Sequence, residues 1–543
     1  MAKTIILGSR NSVDLASQIE ATLIEVPDIY ENDFGAVNDF VIDKLSQEFD
    51  IMVIDADNIQ RTDVALALGL YLRLSVMEVG ANVLVPIIIA SDFRMKKFLH
   101  TKTYSQLLLT KNVYFQSRQE IIIDAVMPLV AERYEDDFLD FISVNPGPEI
   151  GRHSLANQWG ASVLDRLLNN GVPSDNEVLK AAAKSLYFKY MFVQTVNIAD
   201  VLSGKKPVQY VMTSRATVNA KGKRVLLIDD EADKGWEYVL RRFVITNDGD
   251  FDVIGHRVKN YDSFTKEERD MIKNGNYDLV FLDLRMNGVE EEHIYKPEDF
   301  SGMKILRKIK DINPGTQVIM FTASSKAWNL KALLDAGADG YYIKESPEYK
   351  FSQGFSIANF EALRDNILKC LSRNYLREVD ARIRSIRKVF NINNTALKTS
   401  IINQFAASYA LLKLGQFEFA YISLYQIIEL INDEYLDRDD EGKWLIIQSG
   451  EYAKSWSTNT HKECVEMEAN DEENVKYPEW QKAASLYYQL WHQTDLSFGY
   501  RLKELIKERN RFMHNDCPKN SPVHTQEGYM RLFDAIETLC DLL

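Results

Sequence analysis

Two segments far apart in the chain can be laid on each other almost position for position: Phe49-Asp50-Ile51-Met52-Val53-Ile54-Asp55 and Tyr277-Asp278-Leu279-Val280-Phe281-Leu282-Asp283. Each is an aromatic-Asp pair, a short apolar run and a terminal aspartate, the pattern of a buried strand that ends at a polar edge. Around each, strand-like runs alternate with amphipathic helical stretches, over 1–145 and again over about 221–372. Such alternation specifies an open parallel sheet with helices on both faces. The chain therefore reads as one α/β fold used twice. At 543 residues it is also too long for one hydrophobic core.

Composition narrows the class further. Hydrophobic residues make up 46% and charged residues 26%, ordinary globular values. The formal net charge of −15 argues against coating nucleic acid through a global positive field. The four cysteines, Cys370, Cys464, Cys517 and Cys540, are too few and too late for a disulfide framework, which points to a reducing compartment. Residues Met1 to Gly8 read as a strand rather than a signal peptide, and the longest apolar run, Val83 to Ala90, is too short to span a bilayer. A soluble cytoplasmic protein without membrane partners is expected.

Chemistry concentrates in 221–350. The strand Val225 to Ile228 ends in Asp229-Asp230-Glu231, the second apolar strand in Asp283, a third (Val318 to Phe321) in Thr322, and a fourth (Tyr341 to Ile343) in Lys344. Four strands thus deliver acids, a hydroxyl and an ammonium to the carboxyl edge of a parallel sheet, where such folds bind ligands. Clustered carboxylates repel one another unless a hard divalent cation such as Mg²⁺ lies between them. With the cation in place, one carboxylate can attack a phosphoryl donor while the ammonium stabilises the spreading charge.

This set resembles the response-regulator receiver domain over about 130 residues. The resemblance implies a flavodoxin-like, doubly wound fold with Asp283 as phosphoacceptor. Asp229 and Asp230 would be the acidic pair, and the main-chain carbonyl of Arg285 would complete the Mg²⁺ site. It makes Thr322 the hydroxyl that turns toward the phosphoryl oxygen, Lys344 the ion-pair partner and Tyr341 the switch aromatic. Gly337-Ala338-Asp339 also fits. Two departures stand out: Glu345 occupies the place of the family's proline, with Pro347 displaced, and a long loop carrying Glu290-Glu291-Glu292 separates Asp283 from Gly302. The insert 287–300 could shield the site or face a partner, but a neutral surface loop is the expectation.

The first copy aligns with the chemistry removed. Gly8 and Ser9 stand where Asp229 and Asp230 stand, Ala90 is set against Thr322 and Gln116 against Lys344, so only Asp55 survives. A lone carboxylate cannot neutralise an incoming phosphoryl group, and 1–145 reads as a degenerate receiver serving docking or dimerisation. Residues 146–220, with helical stretches at Ser154 to Asn169 and Asn176 to Leu202 and a polar Gly204-Lys205-Lys206-Pro207, read as a helical linker.

After Pro347 strand signals stop. Apolar residues at Phe360, Leu363, Ile367, Leu371, Tyr375, Val379, Ile383, Ile386 and Phe390 keep helical spacing with no Gly or Pro between, which predicts one stiff helix running from the receiver (221–372) into an all-helical region (373–543). There Arg509-Asn510-Arg511-Phe512-Met513-His514 places Asn510 and His514 on one helix face beside Arg509. An imidazole moves protons near neutral pH and a guanidinium holds phosphate, a set suited to phosphodiester chemistry. Arg501, Lys503, Lys507, Arg509 and Arg511 form a local basic face, opposed by Glu504 and Glu508. The pattern is similar to the Arg-Asn-x-x-x-His signature of HEPN domains, helical bundles that often act as metal-independent ribonucleases. The resemblance implies His514 as acid/base, Arg509 as transition-state clamp, Asn510 as the orienting residue, no cofactor, and a composite site across a homodimer. His461, Cys464, His514 and Cys517 are a rival zinc set.

The expected protein is thus a response regulator of a phosphorelay, phosphorylated on Asp283 by a histidine kinase or small phosphodonor, whose HEPN-like domain cleaves RNA. The alternative is a non-enzymatic adaptor whose bundle binds a protein partner. A DNA-binding factor is disfavoured by charge and by the lack of a recognition helix.

Overall fold

A computed structural model describes residues 2–30, 33–99, 103–146, 152–169, 174–204, 217–287, 291, 293–294, 296–323, 327–346, 353–389, 394–467, 477–514 and 516–543. Lys205, Lys206, Pro207, Glu290, Glu292, Pro347 and Phe390 lie outside that set. The chain divides into two compact units, Met1–Ile309 with Gln317–Ser372, and Lys310–Thr316 with Arg373–Leu543.

The first unit holds two five-stranded parallel sheets. Strands β1 (Thr4–Gly8), β2 (Thr22–Glu25), β3 (Ile51–Asp55), β4 (Ile87–Ala90) and β5 (Val113–Gln116) run in the order β2-β1-β3-β4-β5. Strands β6 (Val225–Ile228), β7 (Phe251–Ile254), β8 (Leu279–Asp283), β9 (Val318–Thr322) and β10 (Gly340–Ile343) repeat it as β7-β6-β8-β9-β10. This is the flavodoxin-like order, whose switch point lies between the first and third strands of each sheet. The central strands β1, β3, β4, β6, β8 and β9 are buried throughout, as helices on both sheet faces demand.

The segment expected as a linker is built into both cores. Helix α1 (Arg152–Leu168) places Ala161, Leu164 and Leu167 in one buried cluster with Trp236, Val239, Leu240 and Phe243 of the second fold. The single helical stretch expected over Asn176 to Leu202 is broken into α2 (Glu177–Lys184), α3 (Leu186–Val193) and a short third helix, Ile198–Leu202. The breaks come from capping: the Ser185 and Asn197 side chains accept from the Phe188 and Asp200 amides. Leu186, Val193 and Ile198 join the core of the first sheet.

The expected continuous helix over 360–390 is not formed. Helix α4 (Gln353–Ser372) ends, Arg373 and Asn374 turn, and α5 (Tyr375–Val389) begins. The division between the two units falls at this turn.

Within the second unit, α6 (Thr395–Lys413) and α7 (Phe417–Tyr435) form a helical hairpin, followed later by α8 (Glu479–Ser485), α9 (Leu496–Met513) and α10 (Gln526–Cys540). The region is not all-helical: Leu436–Arg438, Trp444–Ile446 and Glu451–Tyr452 make a small antiparallel sheet, and Trp456–Thr458 pairs with Cys464–Glu466. Gly442 and Gly450, both at positive φ, make the turns of the small sheet. Among the described residues no single helix is long and apolar enough to cross a membrane.

Candidate phosphoacceptor site

Register brings the expected residues to one rim. Leu282 lies opposite Ile228, so Asp283 is level with Asp229; Thr322 lies opposite Ile343, so Lys344 follows one step beyond. The Lys344 ammonium is 2.7 Å from Asp229 Oδ2 and 2.7 Å from Asp283 Oδ1. Asp229, Asp283 and Lys344 are 0%, 3% and 3% exposed. Main-chain amides fix the acids: Glu231 N–H donates to Asp229 (2.9 Å) and Arg285 N–H to Asp283 (2.8 Å). Burial pushes the Asp229 carboxyl up to about 6, opposed by the Lys344 charge and reinforced by Asp283. Burial pulls the Lys344 ammonium down, but the Asp229 and Asp283 carboxylates outweigh it and hold the group above its ordinary value, charged.

Asp229, Asp230 and Asp283 each offer an oxygen within 4.8 Å of the others, the only such acidic, His or Cys cluster among the described residues. Three hard oxygen donors against one ammonium fit a divalent cation of the Mg²⁺ kind. Thr322, 1% exposed, and Arg285 line the same small cavity as Asp283 and Lys344. Tyr341 is half-buried.

Three participants carry no motif. Asn157 on α1 accepts at Oδ1 from Lys344 Nζ (2.7 Å) and from Trp236 Nε1 (3.0 Å). Glu345 is buried and pushed up to about 7 by burial, its carboxylate accepting from Ser356 Oγ. Within 287–300, His293, Lys296, Glu298 and Asp299 are exposed, as a surface loop requires, but Glu291 is buried and accepts from Ser301 N (2.7 Å) and Oγ (2.9 Å), capping the helix Ser301–Ile312.

In the first sheet register revises two equivalences. Asp55 lies opposite Ala90, and Asp283 opposite Phe321, so Ser91 and not Ala90 corresponds to Thr322. Ala90 lies opposite Gln116, whereas Phe321 lies opposite Tyr342, so Arg118 and not Gln116 corresponds to Lys344. Arg118 holds Asp55 with two bonds, Nε at 2.8 Å and Nη2 at 3.0 Å, and Ser12 Oγ and Asn58 Nδ2 donate at 2.7 and 2.9 Å. A Cβ on Gly8 would lie 2.2 Å from Ser12 Oγ, leaving no room for an acid.

In the second unit, Arg509 is held against α7: Nη2 is 3.2 Å from Glu429 Oε1, and the guanidinium lies 4.5 Å from the Tyr425 ring centre. Its Nη1 donates to Asn510 Oδ1, while His514 caps α9 and is exposed. The other cations of this face have partners too, Arg501 with Asp495, Lys503 with Thr458, Lys507 with Glu504 and Arg511 with Glu508. The zinc set does not assemble: Cys464 is buried beside Gly499, while His461 is exposed.

A family profile described as "Response regulator receiver domain" matches residues 254–353. The nitrate/nitrite response regulator protein NarP of Escherichia coli (strain K12) is 35% identical over 69 residues, 13% of this chain and 27% of NarP, so the chain spans about a quarter of that curated relative. Among solved structures, a CheY-like receiver domain protein from Methanospirillum hungatei JF-1 is 20% identical, covering 26% of this chain and 98% of that one, with a TM-score of 0.16. NtrX from Brucella abortus is 17% identical, covering 42% and 49%, with a TM-score of 0.20. The profile match begins at the end of β7, and β6 with its acid pair is hydrogen-bonded into the same sheet. Residues 254–353 are therefore a response regulator receiver domain of a two-component system.

Proposed function

We propose that Asp283 accepts a phosphoryl group from a histidine kinase or a small phosphodonor, with Mg²⁺ held by Asp229, Asp230, Asp283 and the main-chain carbonyl of Arg285. The observation that carries this reading is the Lys344 ammonium shared between Asp229 and Asp283 beside a third carboxylate. Bound Mg²⁺ would supply charge neutralisation for the attacking carboxylate and the transferring phosphoryl oxygens. One Asp283 oxygen attacks phosphorus and the bond from phosphorus to the donor breaks, to the imidazole nitrogen of a phosphohistidine or to the acyl oxygen of acetyl phosphate, and that atom departs with the electron pair. Lys344 then pairs with the new acyl phosphate, Thr322 donates to one of its oxygens and Tyr341 follows inward. Labelled acetyl phosphate with Mg²⁺ tests this: incorporation is expected in the wild type and absent from Asp283→Asn, and equal labelling of both would refute the assignment.

The first sheet acts in this reading as a degenerate receiver, a scaffold without phosphotransfer; the Arg118 bond to Asp55 supports that role. For the output we carry the HEPN-like reading, in which a homodimer's His514 serves as acid/base, Arg509 as clamp and Asn510 as orienting residue on RNA. The Arg509–Glu429 pair favours a second reading, a phospho-dependent adaptor that binds protein, because a phosphate would have to displace Glu429. RNA degradation by wild type, by beryllofluoride-treated wild type and by His514→Ala separates the two: equal activity in all three excludes the nuclease.

A further inference from the structure

The phosphoacceptor rim is closed by α1, which precedes the receiver in sequence. Asn157 is 2% exposed and Asp283 3%, and the cavity between Ala156, Asn157, Asp283, Thr322 and Lys344 measures about 20 Å³. Between these described residues that is room for about one water. The Asn157 amide oxygen also takes one of the three donors of the Lys344 ammonium, while Asp229 and Asp283 take the others. Next to it, Ser154 Oγ donates to Glu231 Oε1 (2.7 Å).

Close approach is built into the sequence. Gly160 stands mid-helix, where glycine disfavours a helix by about 1 kcal/mol relative to alanine. A Cβ there would lie 3.0 Å from the Trp236 ring and 3.1 Å from the Glu345 carbonyl oxygen. Beyond Gly160 the helix is anchored in the receiver core by Ala161, Leu164 and Leu167. Before it, Leu155 and Trp159 pack with Phe188 and Met191 of α3, the Trp159 and Phe188 rings 5.5 Å apart. Leu186 and Val193 of that helix belong to the first sheet's core.

We propose that the turns of α1 before Gly160 are an intramolecular plug: the docked helix and a phosphoryl group on Asp283 exclude one another, and the first sheet, through α3, holds the plug in place. This rests on the reading of Asp283 as acceptor. Phosphorylation expels Asn157 from Lys344 and frees Leu155 and Trp159 from α3, so the first sheet senses the receiver's state without chemistry of its own.

The test uses the full chain. Incorporation of labelled acetyl phosphate with Mg²⁺ is followed in wild type, Asn157→Ala and Phe188→Ala, the last on α3 and outside the residues lining the cavity. Hydrogen exchange of the amides of 154–161 is followed in wild type with and without beryllofluoride and Mg²⁺. The plug predicts labelling about tenfold faster in both variants, the effect of one lost interaction of about 1.4 kcal/mol, and faster exchange over 154–161 when beryllofluoride is bound. Unchanged or slower labelling in the variants, or unchanged exchange in a wild type that does become labelled, overturns the plug and leaves the acceptor reading intact. The exchange arm holds even if a variant misfolds. No labelling in any of the three proteins overturns the acceptor reading, and the plug with it.

Discussion

The two parallel sheets share strand order and a buried aspartate at the same register, Asp55 in one and Asp283 in the other, yet their rims differ in charge and in freedom. Asp55 faces a guanidinium whose planar fork occupies both carboxylate oxygens, a neutral pair fixed in one geometry. Asp283 shares one ammonium with Asp229 and lies beside Asp230, which leaves a formal excess of negative charge. A lysine is a point charge on a flexible stem and can follow a new anion. The same strand order thus carries two different rims, with an arginine where the second sheet has its lysine and a glycine where it has an acid.

The sharpest way to break this contrast is a pair of acid-to-amide changes. Asp283→Asn should abolish labelling by acetyl phosphate and Asp55→Asn should leave its extent unchanged; phosphate on Asp55 would erase the distinction. Next in size is Arg118→Ala, which strands a fully buried carboxylate and should lower stability by about 3–5 kcal/mol in chemical denaturation. A loss near zero would mean that Asp55 is neutral or hydrated.

Glu345 supplies a smaller effect with a defined sign. Its folded carboxyl is pushed up to about 7, above its ordinary value of 4.5, so the folded state keeps a proton that the unfolded chain releases. Stability from this group is lost as pH rises from about 4.5 through about 7. Glu345→Gln should therefore stabilise the receiver by on the order of 2 kcal/mol above that window and do nothing below it. Denaturation curves at both ends check this, and a shift independent of pH would refute it. Smallest is Mg²⁺ itself: at tenfold its Kd it should add about 1.4 kcal/mol of stability to the wild type and less to Asp230→Asn. Equal shifts in thermal midpoint would remove Asp230 from the ligand set.

Much of the acid rim was legible in the sequence because each contributing strand is an unbroken apolar run that stops at the chemistry-bearing residue. Position along such a strand sets position across the sheet. Arg118 escaped this logic because β5 ends at Gln116 and the arginine reaches back from beyond the strand. Asn157 had no motif: a single amide on an amphipathic helix looks like any polar residue until the partner at residue 344 is known. The strands between Leu436 and Glu466 are two or three residues long, too short for alternation to show. The break after Ser372 carries neither glycine nor proline, so spacing alone suggested continuity across it.

Sharing α1 and its neighbours between two cores bears on how the molecule can be cut. A fragment starting at residue 221 would retain Asp229, Asp283 and Lys344 but bare the indole of Trp236 and the flank of Phe243, which Ala161, Leu164 and Leu167 now cover. Such a piece would be prone to self-association and would present its aspartate to water. A truncation meant to isolate the receiver should keep residues from 152 onward, and comparing the two lengths would show how much of the domain's solubility is owed to a segment outside the profile match.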